Sequence, residues 1–247
     1  MNNKLSAIHI SKYYNKKIVL QDISLHLSQG EIVGLFGPNG AGKTTCFNTI
    51  IGLTNPDKGQ IMFNDTDITR LPIHIRAKMG ICYLPQEPSI FRGLSVYDNL
   101  KAVLELVYKN NKDVEERAEQ LLSKFSITHL KHSSALNLSG GERRRLEIAR
   151  ALAVNPKFIM LDEPLAGIDP LTINEIKDML IHLKDNFNIG LLVTDHNVRD
   201  ALDMIDRGYV VYDGKILIEG SKSDIINHEK VRQVYLGEYF EQEQINQ

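Results

Sequence analysis

Residues 37–45 read GPNGAGKTT, and no other stretch limits what this chain can become as much as this one. Gly37, Gly40 and Gly42 fall within six positions. Glycine enters backbone conformations closed to other residues, so such a loop can curl until its N–H groups converge on one point. Lys43 then adds a positive charge at that point, and Thr44 adds a hydroxyl able to ligate Mg²⁺. The flanks agree. EIVGLF at 31–36 is a continuous apolar run, the pattern of a buried strand, and CFNTIIGL opens as a helix. Strand, glycine-rich loop, helix is the context in which a phosphate loop works. Gly37, Pro38, Asn39, Gly40, Ala41, Gly42, Lys43, Thr44 and Thr45 are therefore its candidate nucleotide-binding residues.

The rest of the chain reads as α/β around that loop. Residues 5–36 predict short strands. FIMLDE at 158–163 and IGLLVTDH at 189–196 predict two more buried strands, with a helix between them marked by Ile173, Ile176, Met179, Leu180 and Leu183. YVVYDGKILIEG at 209–220 predicts a hairpin turning on Asp213-Gly214. The stretch from about 86 to 152 is mainly helical: Val114, Ala118, Leu121, Leu122 and Phe125 repeat at helical spacing. The expected fold is a P-loop NTPase core with a mixed sheet, an N-terminal antiparallel β part and an inserted helical subdomain. The core covers about residues 5–85 and 153–225, the insert about 86–152, and a C-terminal helix and polar tail about 226–247, all in one domain spanning 1–247.

Bulk properties exclude several classes. Net charge is −2, so no overall basic field draws the chain onto nucleic acid. Two cysteines, Cys46 and Cys82, form no metal or redox spacing and suit a reduced cytosolic compartment. No apolar run approaches the ~20 residues that span a bilayer. A role at a membrane would need another chain to supply the membrane part.

Around the phosphate loop, several residues carry chemistry. Asp162 and Glu163 end a buried strand. Strand alternation turns neighbours to opposite sides, so the two carboxylates are expected to do different jobs. In a P-loop protein the aspartate holds Mg²⁺, which leaves Glu163 free to polarise the attacking water. His196 follows the next strand, within reach of the same phosphates. Gln86 stands where the insert leaves the core. Tyr14 either stacks an adenine ring or is a half-buried strand residue. Asp169, before Pro170, is an N-cap candidate that also borders the site. LNLSGGERRR at 136–145 puts Ser139, Gly140 and Gly141 at a helix start, a second place where backbone N–H groups can meet an anion. Successive helix residues point about 100° apart, so two of Arg143, Arg144 and Arg145 are expected on a solvated face.

Taken together, Gly37–Thr44, Gln86, the LSGGE run at 138–142, Asp162-Glu163, the AGID run at 166–169 and His196 resemble the ATPases of ABC transporters in order and spacing. The resemblance covers about residues 5–240. It implies ATP and Mg²⁺ as cofactors, Thr44, Gln86 and Asp162 as metal residues, and Glu163, His196 and Lys43 as catalytic ones. It also implies a head-to-tail homodimer, each ATP lying between the phosphate loop of one copy and Ser139 to Gly141 of the other. YLPQEPSIFRGLSVYDNL at 83–100, DEPLAGIDP at 162–170, TDHNVRDAL at 194–202 and VYLGEYF at 234–240 resemble the ATPases of lipopolysaccharide export more closely. Branched-chain amino-acid importer ATPases share much of the pattern but usually lack the QEPS run at 86–89. Non-transport ABC proteins carry fused cassettes or long coiled coils, which this chain lacks. The export resemblance implies two transmembrane permease subunits as partners, on the cytoplasmic face of an inner membrane, with Ile90, Phe91 and Arg92 in the groove that takes their coupling helix. Cys46 and the glutamine-rich tail depart from the usual pattern without touching a motif.

Overall fold

The computed structural model describes residues 2–15, 17–196 and 198–237; the polar tail and the end of the VYLGEYF stretch lie outside them. Two sheets organise these residues. The first is antiparallel, in the order β2-β1-β4-β5: Lys17–Ser28, Lys4–Tyr14, Lys58–Phe63 and Thr66–Asp67. The second has the order β10-β9-β3-β8-β7-β6: Lys215–Gly220, Arg207–Tyr212, Ile32–Phe36, Gly190–Thr194, Phe158–Asp162 and Ile81–Leu84. All its neighbours pair in parallel except β10, which closes the Asp213-Gly214 hairpin on β9. Both turn residues have positive φ, 48° and 71°, as the two-residue turn requires.

Strands β3, β7 and β8 are buried at every position, which explains their unbroken apolar runs. Their side chains alternate between two cores. Val33, Leu35, Met160 and Leu192 face one cluster with Phe47, Ile50 and Ile51 of α1 (Lys43–Ile51) and the inner side of the antiparallel sheet. Ile32, Phe36, Ile159, Leu161, Leu191 and Val193 face the other. That second cluster also contains Leu100 of α3 (Val96–Leu104), Leu121 of α4 (Asn111–Lys124), Leu146 of α5 (Gly140–Ala153) and Leu180 of α6 (Pro170–Phe187). The helical stretch between β6 and β7 thus shares one continuous core with the sheet. The chain is completed by α2 (Ile73–Lys78), α7 (Val198–Met204) and α8 (Lys222–Asn227), with short helical turns after it.

The N-terminal strands differ from expectation. Instead of several short strands, β1 runs 11 residues and β2 12. Their pairing shifts register between Ala7 and Ile10 and again near Lys12. His9 takes a left-handed φ at the first shift and Asp22 at the second. Each bulge breaks the alternation of period two, so one long strand reads as fragments.

Candidate active site

The phosphate loop joins β3 to α1. Gly42 precedes the helix with φ 109°, and a side chain there would meet the Val19 carbonyl at 2.9 Å. At Gly37 the squeeze is tighter: a Cβ would lie 2.0 Å from the Val211 carbonyl. Only glycine fits either place. Helix α1 has no side-chain cap at its start, so its first-turn N–H groups face the loop as an anion cradle. The Lys43 ammonium folds back to donate to the carbonyls of Gly37 (2.6 Å) and Pro38 (3.0 Å). Burial lowers its pKa, against the raising pull of Glu163 and Asp162. A cavity of about 220 Å³ opens here, bordered by Lys43, Thr44, Asp162, Glu163, Thr194 and His196.

Strand β8 lies between β3 and β7, which brings the ends of all three to this cavity. Asp162 is the last residue of β7. It accepts from the Thr194 hydroxyl at 2.8 Å and from the Tyr83 hydroxyl at 3.4 Å. Burial, with the Asp162 charge beside it, pushes the Tyr83 phenol up to about 12. Glu163 sits one residue past the strand in a left-handed conformation, φ 50°, its N–H held by the Thr194 carbonyl at 2.9 Å. Strand alternation therefore does not separate the two carboxylates; both border the same cavity, and they differ in their partners. Glu163 Oε1 is 2.6 Å from His196 Nε2, and Oε2 accepts from Gln86 Nε2 at 2.6 Å. Burial raises the Glu163 pKa; His196 opposes, Asp162 and Asp195 add to the rise, and Lys43 opposes again. A carboxylate lifted in this way is a better base toward water.

Gln86 thus faces Glu163, although it was expected among the metal residues. It borders a second hollow of about 30 Å³, shared with Gly140, Arg143, Glu163 and Gly167. Within one chain, Ser139, Gly140 and Gly141 do not border the Lys43 cavity. Ser139 caps α5 in a reciprocal box: its hydroxyl accepts from the Glu142 N–H, and the Glu142 carboxylate accepts from the Ser139 N–H. Gly141 has a packing reason of its own, since a Cβ there would strike Thr172 at 2.5 Å.

Two further expectations change. Arg144 is buried against Glu147 at 2.9 Å, and Arg145 pairs with Glu175, so the arginine run is not a solvated face. Ile90 is only 7% exposed and belongs to the core, so it presents no side chain to a partner; Phe91, at 46%, and Arg92 are exposed. Asp169 caps α6 by accepting from Thr172 N–H at 3.1 Å. Tyr14 stands near the end of β1, 46% exposed, with the Lys12 ammonium 5.5 Å from its ring centroid. The sequence reading missed Thr194 and Tyr83, which hold Asp162, and Asp195, which accepts from the Leu165 N–H at 2.9 Å. The polar pair Thr194-Asp195 at the end of an apolar run was the available signal.

The family model for ABC transporters matches residues 20–166. The chain belongs to the ABC transporter family and is one of its ATPases. The cassette is 52% identical over 237 residues to the lipopolysaccharide export system ATP-binding protein of Escherichia coli K12, covering 96% of this chain and 98% of that one. The counterpart from Acidithiobacillus ferridurans is 50% identical, covering 98% and 100%. In structure, the cassette resembles MJ1267, an ATP-binding cassette of an ABC transporter, in its ADP conformation (TM-score 0.85, 30% identity, covering 96% and 99%). It also resembles the dimeric post-hydrolysis state of MJ0796 bound to ADP and phosphate (TM-score 0.78, 25% identity, covering 88% and 98%). Among its described residues no helix is long and apolar enough to cross a membrane.

Proposed function

We propose that this cassette is the ATP-driven motor of a lipopolysaccharide export complex, acting as a homodimer beneath two transmembrane permease subunits on the cytoplasmic face of an inner membrane. Identity of 50–52% over almost the whole length of curated export ATPases carries this reading. The exposed pair Phe91-Arg92 supports it as a docking point. The Phe91 ring is backed by the Arg150 guanidinium at 4.4 Å, and Asn99 clamps the Phe91 N–H and carbonyl at 2.8 and 3.0 Å. An aromatic side chain held rigid and left exposed is suited to anchor a partner helix.

The donor set around Lys43 fits a magnesium nucleotide: open helix N–H groups, one ammonium, and the hard oxygens of Thr44 and Asp162 beside it. Tyr14 is assigned to the adenine, and Gly37 to Thr45 to the phosphates. Thr44, Asp162 and Gln86 would hold Mg²⁺, which when bound neutralises phosphate charge; Gln86 must first leave Glu163. Glu163 orients a water and takes up its proton, while His196 fixes that carboxylate. Lys43 steadies charge on the transferred phosphoryl. Ser139, Gly140 and Gly141 of a second copy complete the far side, with Asp169 bordering the joint. Since Ser139 and its neighbours do not reach the Lys43 cavity of their own chain, a second copy is the natural source of that wall. Affinity purification of the tagged cassette from detergent-solubilised membranes tests the assignment. Two permease subunits of a lipopolysaccharide exporter are expected to copurify; amino-acid importer permeases in their place would overturn it.

A further inference from the structure

At the end of α1 opposite the phosphate loop stands the largest side chain among the fully buried ones, Arg76 of α2, with 0% of its surface exposed. Its guanidinium makes four hydrogen bonds, and every acceptor is a neutral carbonyl. Two belong to the last turn of α1, Thr49 at 2.9 Å and Ile50 at 2.6 Å. Two belong to the segment leading into α2, Thr69 at 2.8 Å and Leu71 at 2.8 Å. A buried guanidinium usually rests on a carboxylate; this one rests on dipoles. Burial pulls its pKa down to about 10, with Asp67 opposing, so it stays a cation at neutral pH.

Three of the last four carbonyls of α1 have visible partners. The Asn48 carbonyl takes the N–H groups of Gly52, Leu53 and Thr54. Those of Thr49 and Ile50 go to Arg76. Helix carbonyls point along the axis toward the C-terminus, where a cation also meets the negative end of the helix dipole. The chain then closes over the guanidinium: a Cβ at Gly52 would lie 2.7 Å from Arg76 Nε and 2.9 Å from the Leu71 carbonyl.

The side-chain packing of α1 acts differently. Phe47, Ile50 and Ile51 hold it against the sheet by apolar packing, which has no preferred direction. Its N-terminus has no side-chain cap. The loop ahead of the helix is seated tightly at Gly37 and Gly42 and tied by the Gly214 N–H to the Ala41 carbonyl at 3.1 Å, and the bonds to Arg76 tie the rear of the helix along its axis. We propose that Arg76 is a positioning residue for nucleotide binding: by fixing α1 along its axis, it sets the height at which Lys43 and the first-turn N–H groups meet the phosphates. The inference rests on the reading of Gly37–Thr45 as the phosphate site.

ADP is the suitable probe, because it needs only the chain's own loop. Calorimetric titration of ADP with Mg²⁺ into wild type, Arg76→Lys and Arg76→Met reports Kd and stoichiometry separately. Arg76→Met should weaken binding about tenfold or more. Arg76→Lys keeps the charge but cannot span four carbonyls with the same fork, and should weaken it about threefold. A residue that only holds the fold together would lower the Tm and the number of competent sites and leave Kd alone. Folded variants that bind ADP with the wild-type Kd would overturn the proposal. If Arg76→Met does not fold, the Kd of Arg76→Lys decides by itself. The wild-type titration in the same series keeps failure of the phosphate site distinct from failure of Arg76 to position it.

Discussion

Two helices of this cassette start in glycine-rich turns, and their first turns are completed in opposite ways. Helix α1 starts with no side-chain cap, its N–H groups turned toward Lys43 and a cavity of about 220 Å³. Helix α5 starts with Ser139 and Glu142 locked in a reciprocal box. The first is a donor set that a ligand completes; the second is satisfied within its own chain and adds little to a site until another surface brings an anion to it. The comparison separates two duties that the sequence alone makes look alike. On the proposed reading, α1 binds nucleotide within a single chain and α5 meets it across a dimer.

The largest expected effect lies between the two helices. Glu163→Gln should leave ATP binding intact and lower turnover about a hundredfold or more, accumulating dimer in size-exclusion runs with ATP. Wild-type turnover in this variant would remove Glu163 from the chemistry. On the α1 side, Lys43→Ala should weaken ATP and ADP alike by about tenfold to a hundredfold, measured by titration of the single chain. On the α5 side, Ser139→Ala should cost about 1 kcal/mol of stability through the lost cap, read in a denaturant melt. It should also slow turnover while ADP affinity stays unchanged. If Ser139→Ala weakened ADP as Lys43→Ala does, the division between the helices would fail.

The smallest effect is in pH. Burial raises the Glu163 pKa above 4.5, and His196 pulls it down. On the proposed mechanism the working form is the carboxylate, so turnover should fall as pH drops through that raised value. In His196→Ala the acid limb should move to higher pH, because a group favouring the charged form is gone. A limb that stays in place, or moves to lower pH, would show that His196 does not tune this carboxylate.

Much of this was legible locally. The phosphate loop carries its own reasons in sequence, and the apolar runs of β3, β7 and β8 announced a buried parallel sheet. The P-loop core, mixed sheet, antiparallel part and helical insert all appear in the structure, although the insert shares the core of the sheet. What escaped the sequence is what tertiary contact decides. Bulges at His9 and Asp22 disguised the length of β1 and β2. Arg144 is buried together with Glu147, three residues on, at 2.9 Å. Ile90 turned inward while Phe91 stayed out. The Gln86–Glu163 bond joins residues 77 apart in the chain, which no local pattern reveals.

The claim on which the rest depends is that each nucleotide is enclosed by α1 of one copy and α5 of another. A crystal structure of the Glu163→Gln protein with ATP and Mg²⁺ tests it most directly. Each triphosphate should lie between the Lys43 loop of one protomer and Ser139 to Gly141 of its partner. Nucleotides bound at Lys43 with Ser139 and Gly141 of both protomers facing elsewhere would contradict it.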